Sequence, residues 1–199
     1  MSARGLDQTL VPERRGRSRG ALTTGNKAIY PGQGPCRIGD VVKRVVGARV
    51  MMFYHLTVLD DNRGDLFVPV EKAGRIGVRS LVKKSEIPRL LAHLKKSAKP
   101  ADSWKQRATD NLKLFASGSP YDLAEVVASL TQLSDSRSLT LGESVTLGRA
   151  RRLLICEISE VMGEPKAAVE EQIDCALKRQ KSNENSPALM DNMATSARE

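Results

Sequence analysis

The chain has 199 residues, a formal net charge of +9 and a pI near 9.7. That length allows one domain or two small ones, and the charge favours an acidic partner, with nucleic acid the first candidate. No apolar run approaches the roughly 20 residues that span a bilayer, and the polar start has no apolar signal-peptide core, so a soluble, cytoplasmic protein is expected.

Residues 1–25 hold few large apolar side chains and no period, and are expected to be a disordered basic tail. Arg14, Arg15, Arg17 and Arg19 there suit non-specific phosphate contact or simple solvation.

From Lys27 the chain breaks into strand-length pieces. Ala28-Ile29-Tyr30 leads into the turn cluster Pro31-Gly32-Gln33-Gly34-Pro35. Ile38, Val41-Val42 and Val45-Val46 form a β-branched stretch, and Val50–Leu59 is the longest apolar strand. Asp60–Gly64 has hairpin chemistry, and Asp65–Val70 is the returning strand. Pro69 removes a ladder donor from that strand, which places it at a sheet edge. Strands this short predict a small bent barrel with an edge left for another protein's strand.

From Ser85 the period turns helical. Ile87, Leu90, Leu91 and Leu94 mark a first helix, stopped by Ala98-Lys99-Pro100. Trp104, Ala108, Leu112 and Phe115 share one face of a second, ended by Ser117-Gly118. Ser119 caps a third with Pro120 in its first turn, carrying Leu123, Val126, Val127, Leu130 and Leu133. A capping box from Thr140 to Glu143 opens a fourth, with Leu147, Ala150, Leu154 and Ile158 inward. Pro165 starts a fifth with Val169, Ile173 and Leu177. About five such helices make a bundle with its own core. The polar residues 181–199 are expected to be disordered. The fold class is α+β: tail 1–25, barrel 26–83, helical domain 85–180, tail 181–199.

Charge is unevenly shared. Residues 25–85 carry eleven Lys or Arg against five acids, whereas residues 86–180 carry fourteen against thirteen. Contact between the helical half and DNA should therefore be local. Cys36, Cys156 and Cys175 are odd in number and far apart, so they suggest neither a disulfide framework nor a metal site. They read as small buried hydrophobes, with Cys36, in a Gly/Pro turn, the one to find exposed. No catalytic constellation stands out. His55 and His93 are the only histidines, and Gly32, Gly34 and Gly39 lack the GK[ST] of a phosphate loop. The expectation is a binding protein with no metal and no cofactor.

KAIYPGQG, FVPVEKAGRIGVRSL, NLKLFASGSPYDLAEVVASL and LTLGESVTLGRARRLLICEI occur in that order, with a Trp opening the second helix. Together they resemble the CarD/CdnL transcription regulators over residues 26–178. The resemblance implies a Tudor-like barrel that docks strand-to-strand on the RNA polymerase β subunit. It also implies a helical domain whose Trp wedges into the minor groove at the upstream edge of the melted −10 region, without reading sequence. The outcome in the family is a longer-lived open complex, and a protein acting once per polymerase is most simply a monomer.

Carried over residue by residue, Arg44, Phe53, Phe67 and Pro69 match positions on the polymerase-facing edge. Phe53 and Phe67 fit barrel core as well. Trp104 matches the wedge, and Lys105, Arg107, Arg149, Arg151 and Arg152 are candidate phosphate contacts. By pattern alone Trp104 also fits the helical core. Two departures stand out. Gln106 and Ala108 replace an Arg and an aromatic that usually follow the Trp, and Ser144-Val145 replaces an Arg-Lys pair. The resemblance then implies weak, salt-dependent DNA affinity that matters only when polymerase supplies local concentration. Two other readings remain: a divergent paralogue whose helical domain serves another protein, and an unrelated small-barrel RNA-binding protein.

Overall fold

The computed structural model describes residues 22–60, 64–95 and 103–184. The linker Ala98-Lys99-Pro100 and most of both expected tails lie outside these residues.

Five strands form one antiparallel sheet: β1 (Lys27–Tyr30), β2 (Gly34–Val46), β3 (Arg49–Val58), β4 (Asp65–Pro69) and β5 (Arg79–Ser80). Their order is β4-β3-β2-β1-β5, so the sheet bends but does not close, and the barrel expected from short strands is an open one. β2 runs unbroken through Lys43-Arg44, with an irregularity in register between Ile38 and Val41. Such a bulge bends a strand and sharpens its twist. Gly47-Ala48 then makes a two-residue turn between Val46 and Arg49, with Gly47 at φ 63°. A positive φ at the first turn residue matches the twist of the flanking strands.

Pro69 closes β4 at the sheet edge, where the missing donor costs no ladder bond. The next residues depart from expectation. Val70–Ile76 is a helix, α1, followed by Gly77 at φ 94° and the two-residue β5. Ala28, Cys36, Ile38, Leu56, Val58, Val68, Ala73 and Val78 make the core, with Leu22 packed against them. Leu22, expected in the tail, therefore belongs to the folded unit. Cys36 is fully buried, and the exposed thiol is that of Cys175.

The helical half contains α2 (Ile87–His93), α3 (Trp104–Ser117), α4 (Pro120–Ser136), α5 (Leu141–Met162) and α6 (Lys166–Glu184). Ser119 accepts a hydrogen bond from the Asp122 N–H, and the Thr140–Glu143 capping box forms in both directions. Leu123, Val126, Leu130, Leu154, Ile158, Val169 and Ile173 meet in one core.

α5 also serves the sheet. Glu157, 1% exposed, accepts from both terminal guanidinium nitrogens of Arg79 at 2.6 and 2.8 Å and from the Val82 N–H at 3.0 Å. Arg79 Nε donates to the Gly118 carbonyl at 2.6 Å. Asp60, two residues past the end of β3, pairs with Arg152 on α5 and with Lys166 on α6 at 2.8 Å. Lys27 reaches Glu160 at 2.5 Å. Pro31 fills the remaining gap, so close that a Cβ at Gly77 or Gly118 would lie 3.1 Å from its Cγ. Sheet and bundle are thus tied at three charged points along one helix.

Candidate functional site

The register of the sheet separates its two faces. Leu56, Val58 and Val68 point into the core. Because side chains alternate along a strand, the pairs Phe53–Val42, Phe53–Pro69, His55–Phe67 and Arg44–Met51 stand on the opposite, outward face. The structure therefore brings Arg44, Phe53, Phe67 and Pro69 together, and neither phenylalanine is part of the barrel core.

Phe67 is 39% exposed and is sandwiched within this face. His55 stacks on its ring at 5.0 Å, and the Arg44 guanidinium lies 3.6 Å from its centroid. A cation held over an aromatic face keeps its N–H edges free to donate outward. Beyond this face the β2–β3 hairpin leaves Val45, Val46 and Val50 exposed. These valines lie past the end of the core, and no periodicity argument could have shown that they lack a cover.

The second candidate surface lies between α3 and the start of α5. Trp104 is 60% exposed, and the apolar face it shares with Leu112 and Phe115 lines an open groove of about 680 Å³. The expected core face of α3 is thus a groove wall. The side chains α3 buries are Arg107 and Asn111. Leu141 and Val145 form the facing wall, 83% and 52% exposed.

Arg107 is corrected accordingly. It is 7% exposed and its Nε donates to Glu143 at 3.0 Å, so it buttresses the groove and offers no surface to a phosphate. Arg151 is held by Asp174 at 2.5 Å and Glu170 at 3.3 Å, and Arg152 by Asp60. Lys105 and Arg149 remain, exposed and without an acidic partner among the described residues. Lys105 Nζ is 5.9 Å from the Trp104 ring and the Arg149 guanidinium 5.2 Å from that of Phe115. Sequence reasoning found the capping role of Glu143 but missed its pairing with Arg107 and Arg137, 36 residues before it and 6 before it.

Burial pushes the Glu143 carboxyl up, but hydrogen bonds from Thr140 and Arg107 and the charge of Arg137 outweigh it and hold the group down at about 2. The folded-state value lies below the ordinary 4.5, so the stabilisation is complete above about pH 4.5 and is lost as pH falls towards 2. Stability measured by urea unfolding should fall through that window, and in Glu143→Gln that part of the pH dependence should disappear. The buried thiols are inert. Burial raises Cys36 to about 11, and burial with the neighbouring Asp60 charge does the same for Cys156.

Among the described residues no helix is long and apolar enough to cross a membrane, and no group of three or more His, Cys, Asp or Glu is placed to hold a metal. Two family models match the chain. Residues 22–82 match the CarD-like/TRCF RID domain and residues 89–174 the CarD C-terminal domain, so the sheet and the bundle each fall within one of them. Order, extent and fold agree: the chain belongs to the CarD/CdnL family of RNA polymerase-interacting transcription factors.

Proposed function

We propose that this protein docks on the RNA polymerase β subunit through β4 and the outward face beside it, and that Trp104 then wedges at the upstream edge of the melted −10 region to prolong the open complex. The observation that carries the reading is the gathering of Arg44, Phe53, Phe67 and Pro69 on one outward face beside an edge strand. An incoming strand would take the free backbone groups of β4, and Phe67 with Arg44 would supply desolvated contact next to them.

Trp104 suits the second step because it overhangs the first turn of its helix and is already exposed. Apolar wedges hold DNA distorted at the cost of unstacking a base step. That cost is least where the duplex is already opening. The flanking cations are few. With Lys105 and Arg149 as phosphate contacts, the slope of log affinity against log salt should be about −2, far shallower than six cations would give. DNA affinity without polymerase is accordingly weak, and docking supplies the local concentration. One copy per polymerase makes the working state a monomer.

Binding to the host's core RNA polymerase tests the dock. Wild-type protein should bind, and Phe53→Ala/Phe67→Ala should bind at least about tenfold more weakly, as expected when aromatic anchors are truncated. Failure of the intact protein to bind polymerase would sink the reading.

A further inference from the structure

We propose that the groove beside Trp104 is closed in the free protein by the chain's own residues 185–199, an intramolecular cover over the surface that the proposed function gives to DNA. The closure stands by itself, and only its effect on DNA rests on that reading.

The walls of the groove are apolar and uncovered by any described residue. Leu112, Leu141 and Val145 are 69%, 83% and 52% exposed, and they line one opening of about 680 Å³. Single apolar residues on a surface are ordinary, but a contiguous apolar groove marks a place that another segment occupies.

The helical hairpin of α5 and α6 delivers residues 185–199 to this groove. Arg151 on α5 pairs with Glu170 and Asp174 on α6 and so sets the register of the two antiparallel helices. Leu141 lies ten residues before Arg151, and Glu184 ten after Asp174. At 1.5 Å per residue both stand about 15 Å from that ion pair. α6 therefore ends level with the residue that opens the groove wall. α5 contacts both α3 and α6, so crossing it takes about one helix diameter, roughly 10–12 Å. Five extended residues, Asn185 to Leu189, span about 17 Å and cover that distance.

The chemistry of the segment matches the walls. Residues 187–193 read Pro-Ala-Leu-Met-Asp-Asn-Met and hold the large apolar side chains that follow α6. Leu189, Met190 and Met193 have the spacing of anchors that a groove takes from one side of a segment. Methionine thioethers adapt well to irregular apolar walls. Asp191 and Glu199 outweigh Arg198, so the segment is net negative. Lys105 and Arg149, held over Trp104 and Phe115, have no acidic partner among the described residues and complement it. The other long segments outside the described residues fit less well. Residues 1–21 are net positive and join the fold at Leu22, against the sheet core, and residues 96–102 contain no large apolar side chain.

Trp104 is the only tryptophan, so its fluorescence reports on the groove in the full chain without DNA or polymerase. Acrylamide should quench Trp104 weakly in the wild type. Quenching should be steeper, with red-shifted emission, in Leu189→Ser/Met193→Ser. That variant changes no charge and touches neither apolar core. A synthetic peptide of residues 185–199 added to the variant should restore the shielding with a Kd of about 1 mM or lower, because a short tether supplies a millimolar effective concentration. A groove closed about nine-tenths of the time weakens apparent DNA affinity about tenfold. The variant should therefore bind a forked duplex about tenfold tighter than the wild type at low salt.

Equal quenching of Trp104 in wild type and variant would overturn the closure. Shielding that grows with protein concentration would overturn it too, in favour of a second copy seated in the groove. Shielding lost in the variant with fork affinity unchanged would uphold the closure and count against the wedge, which keeps the two readings apart.

Discussion

Glu157→Ala is expected to be the most damaging single truncation outside the apolar core, costing about 3–5 kcal/mol in urea unfolding at neutral pH. Glu157 is buried and satisfies three N–H donors at once: two from Arg79 and the backbone of Val82. Removing it strands the Arg79 guanidinium, 22% exposed, between the carbonyls of Gly118 and Ser80. The Val82 N–H loses its acceptor as well. The large effect is thus the cost of orphaned donors, more than the net worth of the pair. That distinction has its own test: Arg79→Met/Glu157→Leu, which removes both charges and keeps apolar volume, should recover much of the lost stability. A loss below about 1 kcal/mol in Glu157→Ala would mean that sheet and bundle are held by apolar packing alone. The wild type should unfold in one transition, since the tie joins β5, the extended segment after it and α5.

Trp104→Ala is the opposite kind of change. The indole is 60% exposed at a helix start, and exposed substitutions of this sort shift stability by roughly 0.5 kcal/mol or less. Its expected functional effect is complete: the open-complex lifetime should fall to the value without the protein, while affinity for core polymerase stays unchanged. The contrast separates two partners on one molecule. A variant at Phe67 should lose polymerase and with it every downstream effect, whereas Trp104→Ala should stay bound and do nothing. If Trp104→Ala lengthened open-complex life as well as wild type, the helical domain would have to act on another protein. Lys105→Ala adds a graded control, because losing one phosphate contact should lower the salt slope by about 1.

Much of the architecture was legible in the sequence because its punctuation is local. Ser119-Pro120, the Thr140–Glu143 box and Pro165 mark helix starts within a few residues, and Pro69 marks an edge for a reason internal to its own backbone. What escaped were features decided across distance. Val70 reads as the last residue of the returning strand and Glu71–Ile76 falls in a stretch that reads only as short strands; with Ala73 alone buried among its seven residues, α1 carries no amphipathic signal. On α3 the period points to Trp104 and Leu112 as core, yet the helix buries Arg107 and Asn111. Arg107 can be buried because Glu143, on another helix, neutralises it, and no local window contains both. The ion pairs of Arg151 and Arg152, two candidate phosphate contacts, escaped for the same reason. Their acids, Asp174, Glu170 and Asp60, lie 19 to 92 residues away along the chain. The outward face of the sheet was half legible: alternation fixes which residues share a side, and the resemblance, with no local pattern behind it, singled out Phe53 and Phe67.

The exposed valines of the β2–β3 hairpin bear on how much of this protein can remain free in solution. Val45, Val46 and Val50 form an uncovered β-branched tip on a sheet with an open edge, the combination from which strand-to-strand self-association starts. Lys43, Arg44 and Arg49 stand beside them on the same hairpin and keep copies apart by like-charge repulsion. That protection is electrostatic and weakens as added salt shortens the screening length. Concentrated protein should therefore be most soluble at low ionic strength and should turn cloudy as salt rises, with Val45→Lys/Val50→Lys staying clear.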